Sequence, residues 1–214
     1  MTASAVQGGP SEAERERDAA LAELRRLVDE READAREAQR HLRNVLSVTR
    51  SLASRTAEEA GSLDDFRVLF DGRLAAFARV QSAVARDART GLDLGRLIGD
   101  ECLSFGIGVG AGGMELDGEP VRLLSRAAGL IALLAHELVA ELAAAGRVGT
   151  ARVAWIVGDG LEIDWSHDVG AGGFRPLPDW IRQAIGYELK GRVLEDGVDG
   201  AVRRRIRLPR NCLI

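Results

Sequence analysis

Aromatic residues are scarce, at 4% of 214 residues, and Lys190 is the only lysine among 29 basic residues. With 46% hydrophobic residues a core is possible, but it must be built from Leu, Val, Ile and Ala. Cysteine is limited to Cys102 and Cys212, without CxxC spacing or histidine neighbours, so a disulfide framework or a zinc site has no support and no metal site is expected. No apolar run of membrane-spanning length is expected, and the opening MTASAVQGGP lacks the regions of a signal peptide. These absences point to a cytoplasmic chain with no membrane insertion. The net charge of -4, with signs interspersed, argues against a nucleic-acid partner. The one basic cluster, Arg203, Arg204, Arg205, Arg207 and Arg210, reads as a solvated strand edge.

The length suits one ordinary domain with a helical appendage, or two small domains. Residues 1–10 read as a disordered tail. Ser11 and Glu14 form a capping-box pattern, and no Gly or Pro interrupts the following helix to about Thr56. Within it Leu21, Leu24, Val28, Arg31, Ala35, Ala38, Leu42, Val45, Thr49 and Leu52 alternate spacings of three and four, which is a heptad seam. Gly61 breaks the chain, and Ser62 with Asp65 starts a second amphipathic helix to about Asp87. Residues 11–88 therefore read as an antiparallel helical hairpin. A lone hairpin cannot cover both apolar faces. The expected remedy is a homodimer through a four-helix bundle; the alternative is cover by the downstream domain.

Residues 92–210 read as a small α/β domain. A helix is expected over Asp93–Phe105, a strand near Met114–Leu116, and a strongly apolar helix opened by Pro120 and running from Val121 to about Ala145. Strands follow at Ala151–Val157 and Leu161–Trp165 around a Gly158-Asp159-Gly160 turn. A helix over Trp180–Leu189 and strands at Gly191–Val193 and Ala201–Leu208 complete the order. This is α+β, with helices on one face of a mixed sheet.

Three histidines are present: His41, His136 and His167. A phosphoramidate requires an accessible imidazole nitrogen. His41 flanks the seam and should be partly exposed, with Arg40 and Arg43 near enough to steady phosphate oxygens. His136 and Glu137 sit on the apolar helix, where satisfied hydrogen bonds are the simpler explanation. The stretch Asp168-Val169-Gly170-Ala171-Gly172-Gly173 has the form DxGxG, in which glycines admit a ligand and the aspartate can accept an adenine amine.

In order along the chain from about Arg36, these segments resemble the HWE family of histidine kinases. Asn44-Val45-Leu46-Ser47-Val48 and Ser51-Leu52-Ala53-Ser54 are similar to its phosphoacceptor helix. Asp65-Phe66, Phe70, Gly72-Arg73-Leu74 and Ala78-Arg79 are similar to its second hairpin helix, and His136-Glu137-Leu138 to its nucleotide-binding helix. Trp165 occupies the place of the W. The resemblance implies a dimerisation and phosphoacceptor hairpin, a GHKL/Bergerat-like ATP-binding domain, and a response-regulator receiver as partner.

The departures are specific. The family pattern of His then Arg, with Asn four after the His, is swapped: Arg40 holds the His position and His41 the Arg position, with Asn44 in place. The magnesium-holding Asn falls at Glu141, the E of the name at His167, the flexible Gly-Phe-Gly lid at Arg175-Pro176-Leu177, and the usual Lys and Tyr at Ala144 and Ala145. The resemblance implies His41, Arg43 and Asn44 for phosphoryl chemistry. It implies a vestigial nucleotide and magnesium site at His136, Glu137, Glu141, Asp168, Gly170 and Gly172. The expected function is a phosphorelay phosphotransferase passing phosphate between His41 and a receiver aspartate, with no cofactor required. The alternatives are a pseudokinase that binds a receiver or a kinase, and a divergent kinase that needs ATP and magnesium.

Overall fold

The computed structural model describes residues 12–86, 91–110, 112–146, 151–168, 175–198 and 200–214. A helix-rich N-terminal part is followed by a mixed five-stranded sheet. The chain divides into two compact units, residues 1–51 and 52–214. Ser11 and the expected tail lie outside the described residues.

Helix α1 spans Glu12–Glu59. It needs no tertiary support to start, because Gly and Pro are absent and surface pairs such as Arg26–Glu30 (2.6 Å) and Arg36–Glu32 (3.0 Å) bridge successive turns. In the first unit, residues 12–51 of α1, the apolar seam is open to solvent: Leu24 and Leu42 are each 58% exposed.

The second unit begins with the last turns of α1, where Leu52 and Thr56 are buried. Helix α2 covers Leu63–Arg86. Ser62 caps it as expected, its Oγ accepting from the Asp65 amide at 3.1 Å while donating to the Asp65 carboxylate at 2.8 Å. Strand β1 (Leu92–Asp93) leads into α3 (Leu94–Ser104), with Asp93 as N-cap accepting from the Arg96 amide at 2.8 Å.

Strand β2 (Glu115–Gly118) and the two-residue β3 (Arg122–Leu123) precede α4 (Ser125–Ala145). Pro120 therefore does not open the apolar helix. Leu123 is claimed by an antiparallel pairing with Leu92, and the helix starts two residues later. The expectation of no spanning-length apolar run is also corrected: α4 is long and apolar enough to cross a membrane. Most of it is buried here as the central core helix, ended by Gly146 in the left-handed conformation (φ 65°).

Strands β4 (Arg152–Val157) and β5 (Gly160–Asp168) form the expected hairpin, followed by α5 (Asp179–Leu189), β6 (Arg192–Val198) and β7 (Ala201–Pro209). The sheet order is β2-β4-β5-β7-β6, parallel between β2 and β4 and antiparallel elsewhere. Strand β7 is thus interior to the sheet, not an edge as the arginine cluster suggested. Trp165 lies within β5, which continues three residues beyond the expected end.

Alternation decides which residues enter the core. Leu161, Ile163, Trp165 and His167 of β5 face inward beside Val202, Arg204, Ile206 and Leu208 of β7. Helix α2 joins this core: Ala76, Phe77, Val80 and Val84 are buried, and Phe77 lies where a Cβ on Gly129 of α4 would be 3.5 Å away. Cover of α2 by the downstream domain, the alternative raised from the sequence, is therefore present within the chain.

Candidate functional site

Helix α1 leaves His41, Arg40, Arg43 and Asn44 exposed. On a continuous helix each residue turns the face by about 100°. Asn44, three residues on, therefore shares the face of His41, whereas Arg43, two residues on, points about 160° away by the same geometry. His41 and Asn44 share one face of α1, and Arg43 starts from the opposite side of the helix.

On α4, His136 and Glu137 are both fixed by other elements. His136 is buried, and its Nδ1 lies 2.9 Å from Glu101 Oε1 on α3. Burial works to raise the Glu101 carboxyl, but hydrogen bonds from His136 and Arg79 hold it below the usual carboxylate range. An ionised carboxylate only accepts, so Nδ1–H donates. The other side of the ring is closed by α2: a Cβ on Gly72 would stand 2.7 Å from His136 Nε2. Glycine is required at 72 for this close approach.

Glu137 accepts from Arg73 Nε at 2.6 Å. Arg73 is 1% exposed, and its other nitrogens donate to Thr56 Oγ1 (3.0 Å) and Glu59 Oε2 (2.6 Å) while its guanidinium lies 5.3 Å from the Trp180 ring centroid. One buried cation thus fixes α2, the end of α1, α4 and α5 together.

One turn further along α4, Glu141 meets a second buried cation. Arg204 Nη2 lies 2.7 Å from Glu141 Oε2 and donates to the Arg175 carbonyl at 2.6 Å, and Arg204 Nε donates to Glu195 Oε2 at 2.9 Å. Burial raises the Glu141 carboxyl, partly offset by Arg204 and by the Arg175 backbone. Glu195 also accepts from the Leu177 amide at 3.0 Å. The Arg175-Pro176-Leu177 stretch is therefore stapled at both ends to the buried arginine–glutamate pair. His167 completes the cluster, 4.0 Å from Glu141 Oε1 and 2% exposed. Burial and the Arg204 charge push its imidazole down to about 4.

Sequence reading placed Arg204 in a solvated cluster. Its parity with Val202, Ile206 and Leu208 carried the opposite message, and the buried arginine obeys it. Of the outward arginines, Arg203 and Arg207 behave as surface residues, Arg203 Nε donating to both Asp164 oxygens (2.8 and 2.9 Å) and Arg207 to Glu162 (2.7 Å), while Arg205 is half-buried with its Nε 3.1 Å from Glu162. Arg73 likewise fills a gap in the α2 apolar stripe between Phe70 and Phe77, a signal of burial. Asp168 is the last residue of β5, and Gly170 and Gly172 lie outside the described residues.

These residues do not fit magnesium and a triphosphate. Each carboxylate that α4 would offer a cation is already paired with a buried guanidinium of the same chain, and a Mg²⁺ ion would have to displace it. Among the described residues no group of three or more His, Cys, Asp or Glu is arranged to hold a metal.

The HWE histidine kinase family model matches residues 37–119. No curated protein matches in sequence. Among solved structures, the blue-light activated histidine kinase of Erythrobacter litoralis EL346 is similar in fold, with a TM-score of 0.56 at 16% identity over 79% of this chain. This chain covers 59% of that protein's length. The histidine kinase domain of the same protein gives a TM-score of 0.53 at 15% identity, covering 80% of this chain and 86% of that domain. The chain is therefore similar to the HWE histidine kinases, in sequence over residues 37–119 and in fold over about four fifths of its length.

Proposed function

We propose that this protein is a phosphorelay phosphotransferase that works without ATP, exchanging a phosphoryl group between His41 and a response-regulator aspartate. The observation that carries the reading is the pairing of Glu137 with Arg73 and of Glu141 with Arg204, which neutralises both candidate cation ligands of α4. A kinase needs those positions for its metal–nucleotide complex; a phosphotransferase does not.

His41 supplies the chemistry. An exposed imidazole nitrogen attacks the phosphorus of an aspartyl phosphate in line. The N–P bond forms as the acyl P–O bond breaks, the carboxylate leaves with the electron pair, and the ring N–H proton passes to water. Asn44, on the same face, is placed to hydrogen-bond a phosphoryl oxygen. The receiver and a dimeric state follow from the family likeness.

The test is transfer of label. Purified protein is incubated separately with γ-labelled Mg-ATP and with a receiver domain phosphorylated by labelled acetyl phosphate. Label from the receiver alone, abolished by His41→Gln, supports the phosphotransferase. Self-labelling from ATP refutes it. A non-catalytic pseudokinase is the second reading, favoured by the turning of Arg43 away from His41; it predicts receiver binding with label from neither source.

A further inference from the structure

Helices α2 and α3 both pack on α4, and a cleft of about 940 Å³ opens between them. Ala132 of α4 lies at its floor, and Gly91, Leu92 and Arg122 line its end beside the short β1–β3 pairing. Small-molecule pockets run to about 300–1,000 Å³, so the space suits an organic ligand. The sequence of α2 makes the room. Ala75, Ala78 and Ser82, spaced three and four apart, turn one face of the helix to the cleft, and their side chains are short. On the facing wall Leu97 and the exposed Leu103 of α3 keep the lining apolar.

The charges at the cleft are unequally spent. Asp93 accepts from the Arg96 amide as the cap of α3, and the buried Glu101 takes both Arg79 and His136. Asp100 is the remaining carboxylate among the lining residues, and it lies 3.7 Å from Arg96 Nε, beyond hydrogen-bond range. The guanidinium groups keep donors in hand. Among the described residues Arg79, on α2, bonds through Nη2, to Glu101 and to Ser104 Oγ (3.4 Å), and its Nε and Nη1 remain. Arg96, on α3, is exposed, and its guanidinium makes no hydrogen bond among the described residues. Two planar forks with unused N–H groups thus stand on opposite walls of an apolar cleft, an arrangement that suits an oxyanion carried on an apolar body. A cationic head would find only Asp100, with Arg96 beside it.

We propose that the α2–α3 cleft binds an amphipathic organic anion, its apolar body lying over Ala132 and its oxyanion head held between Arg79 and Arg96. The bound molecule joins α2 to α3 across the gap that the Arg79–Glu101 pair spans. This binding is independent of the phosphoryl chemistry proposed for His41.

Calorimetric titration of the full chain with decanoate tests the site. Wild type should take up one decanoate per chain with a Kd below about 1 mM. Ala83→Leu, at a half-buried position lining the cleft, should weaken binding about tenfold by filling the space. Arg79→Gln also removes the counter-charge of buried Glu101, so the exposed Arg96 is the deciding position. Arg96→Gln should weaken binding about tenfold, and Arg96→Lys, which keeps the charge, should recover most of the loss. No binding to wild type at about 1 mM overturns the proposal. So does an affinity unchanged in Ala83→Leu, which would seat decanoate elsewhere, or one unchanged in Arg96→Gln, which would remove the anionic head from the argument.

Discussion

Replacing Arg204 with methionine tests whether the buried cluster is a structural substitute for a ligand site. Arg204 has no exposed surface and supports Glu141, Glu195 and the Arg175 carbonyl at once. Methionine fills much of the space but leaves those acceptors without their cation. Breaking one side of a buried ion pair costs about 3–5 kcal/mol. For a unit of this size that lowers Tm by about 6–20 °C. Glu195 keeps the Leu177 amide and Arg182, so the loss falls mainly on Glu141, whose carboxyl burial already raises. The double variant Arg204→Met/Glu141→Gln removes both charges and should recover more than half of the loss, a coupling of about 2 kcal/mol. Urea unfolding followed by tryptophan fluorescence is the assay; Trp165 is buried on β5 opposite Arg204. A single-variant cost under about 1 kcal/mol, or a double variant no more stable than the single, would refute the reasoning.

Two further outcomes are expected. His167 is held neutral in the fold, near 4 against an ordinary value of 6.5. Its depressed value means that stability is fully present above pH 6.5 and is lost as pH falls toward 4, because the unfolded chain takes up the proton first. The loss over that window is about 3 kcal/mol. His167→Gln should flatten that part of the stability–pH curve, and an unchanged slope would show that His167 is not the group responsible. At Gly72, alanine would drive its Cβ to 2.7 Å from His136 Nε2. Gly72→Ala should cost about 1–3 kcal/mol by overpacking, and the same substitution made in a His136→Ala background should cost much less, read as the difference in Tm between His136→Ala and the double variant.

The sequence determined whatever depends on neighbours along the chain. The uninterrupted α1, the Ser62 cap, the hairpin between β4 and β5 and the C-terminal glycine of α4 follow from short-range geometry. The inward parity of Arg204 was equally written in β7, although the run Arg203-Arg204-Arg205 disguised it as surface. Likewise the spacing of α2 marked Arg73 as a core position without naming its partner. Pro120 misled because its usual place at a helix start was overridden by pairing between Leu92 and Leu123, which lie far apart in the chain.

Only the tertiary structure decided where the charges ended. Arg73 and Glu137 are 64 residues apart, and Arg204 and Glu141 come from different layers. A buried ion pair exists only when the fold has already brought both groups out of water, so no local pattern announces it. The same holds for the packing of α2 on α4, where Gly72 admits the His136 ring and Gly129 lies against Phe77. Periodicity tells each residue which way to face; what it meets there is set by the packing of elements that the chain brings together from a distance.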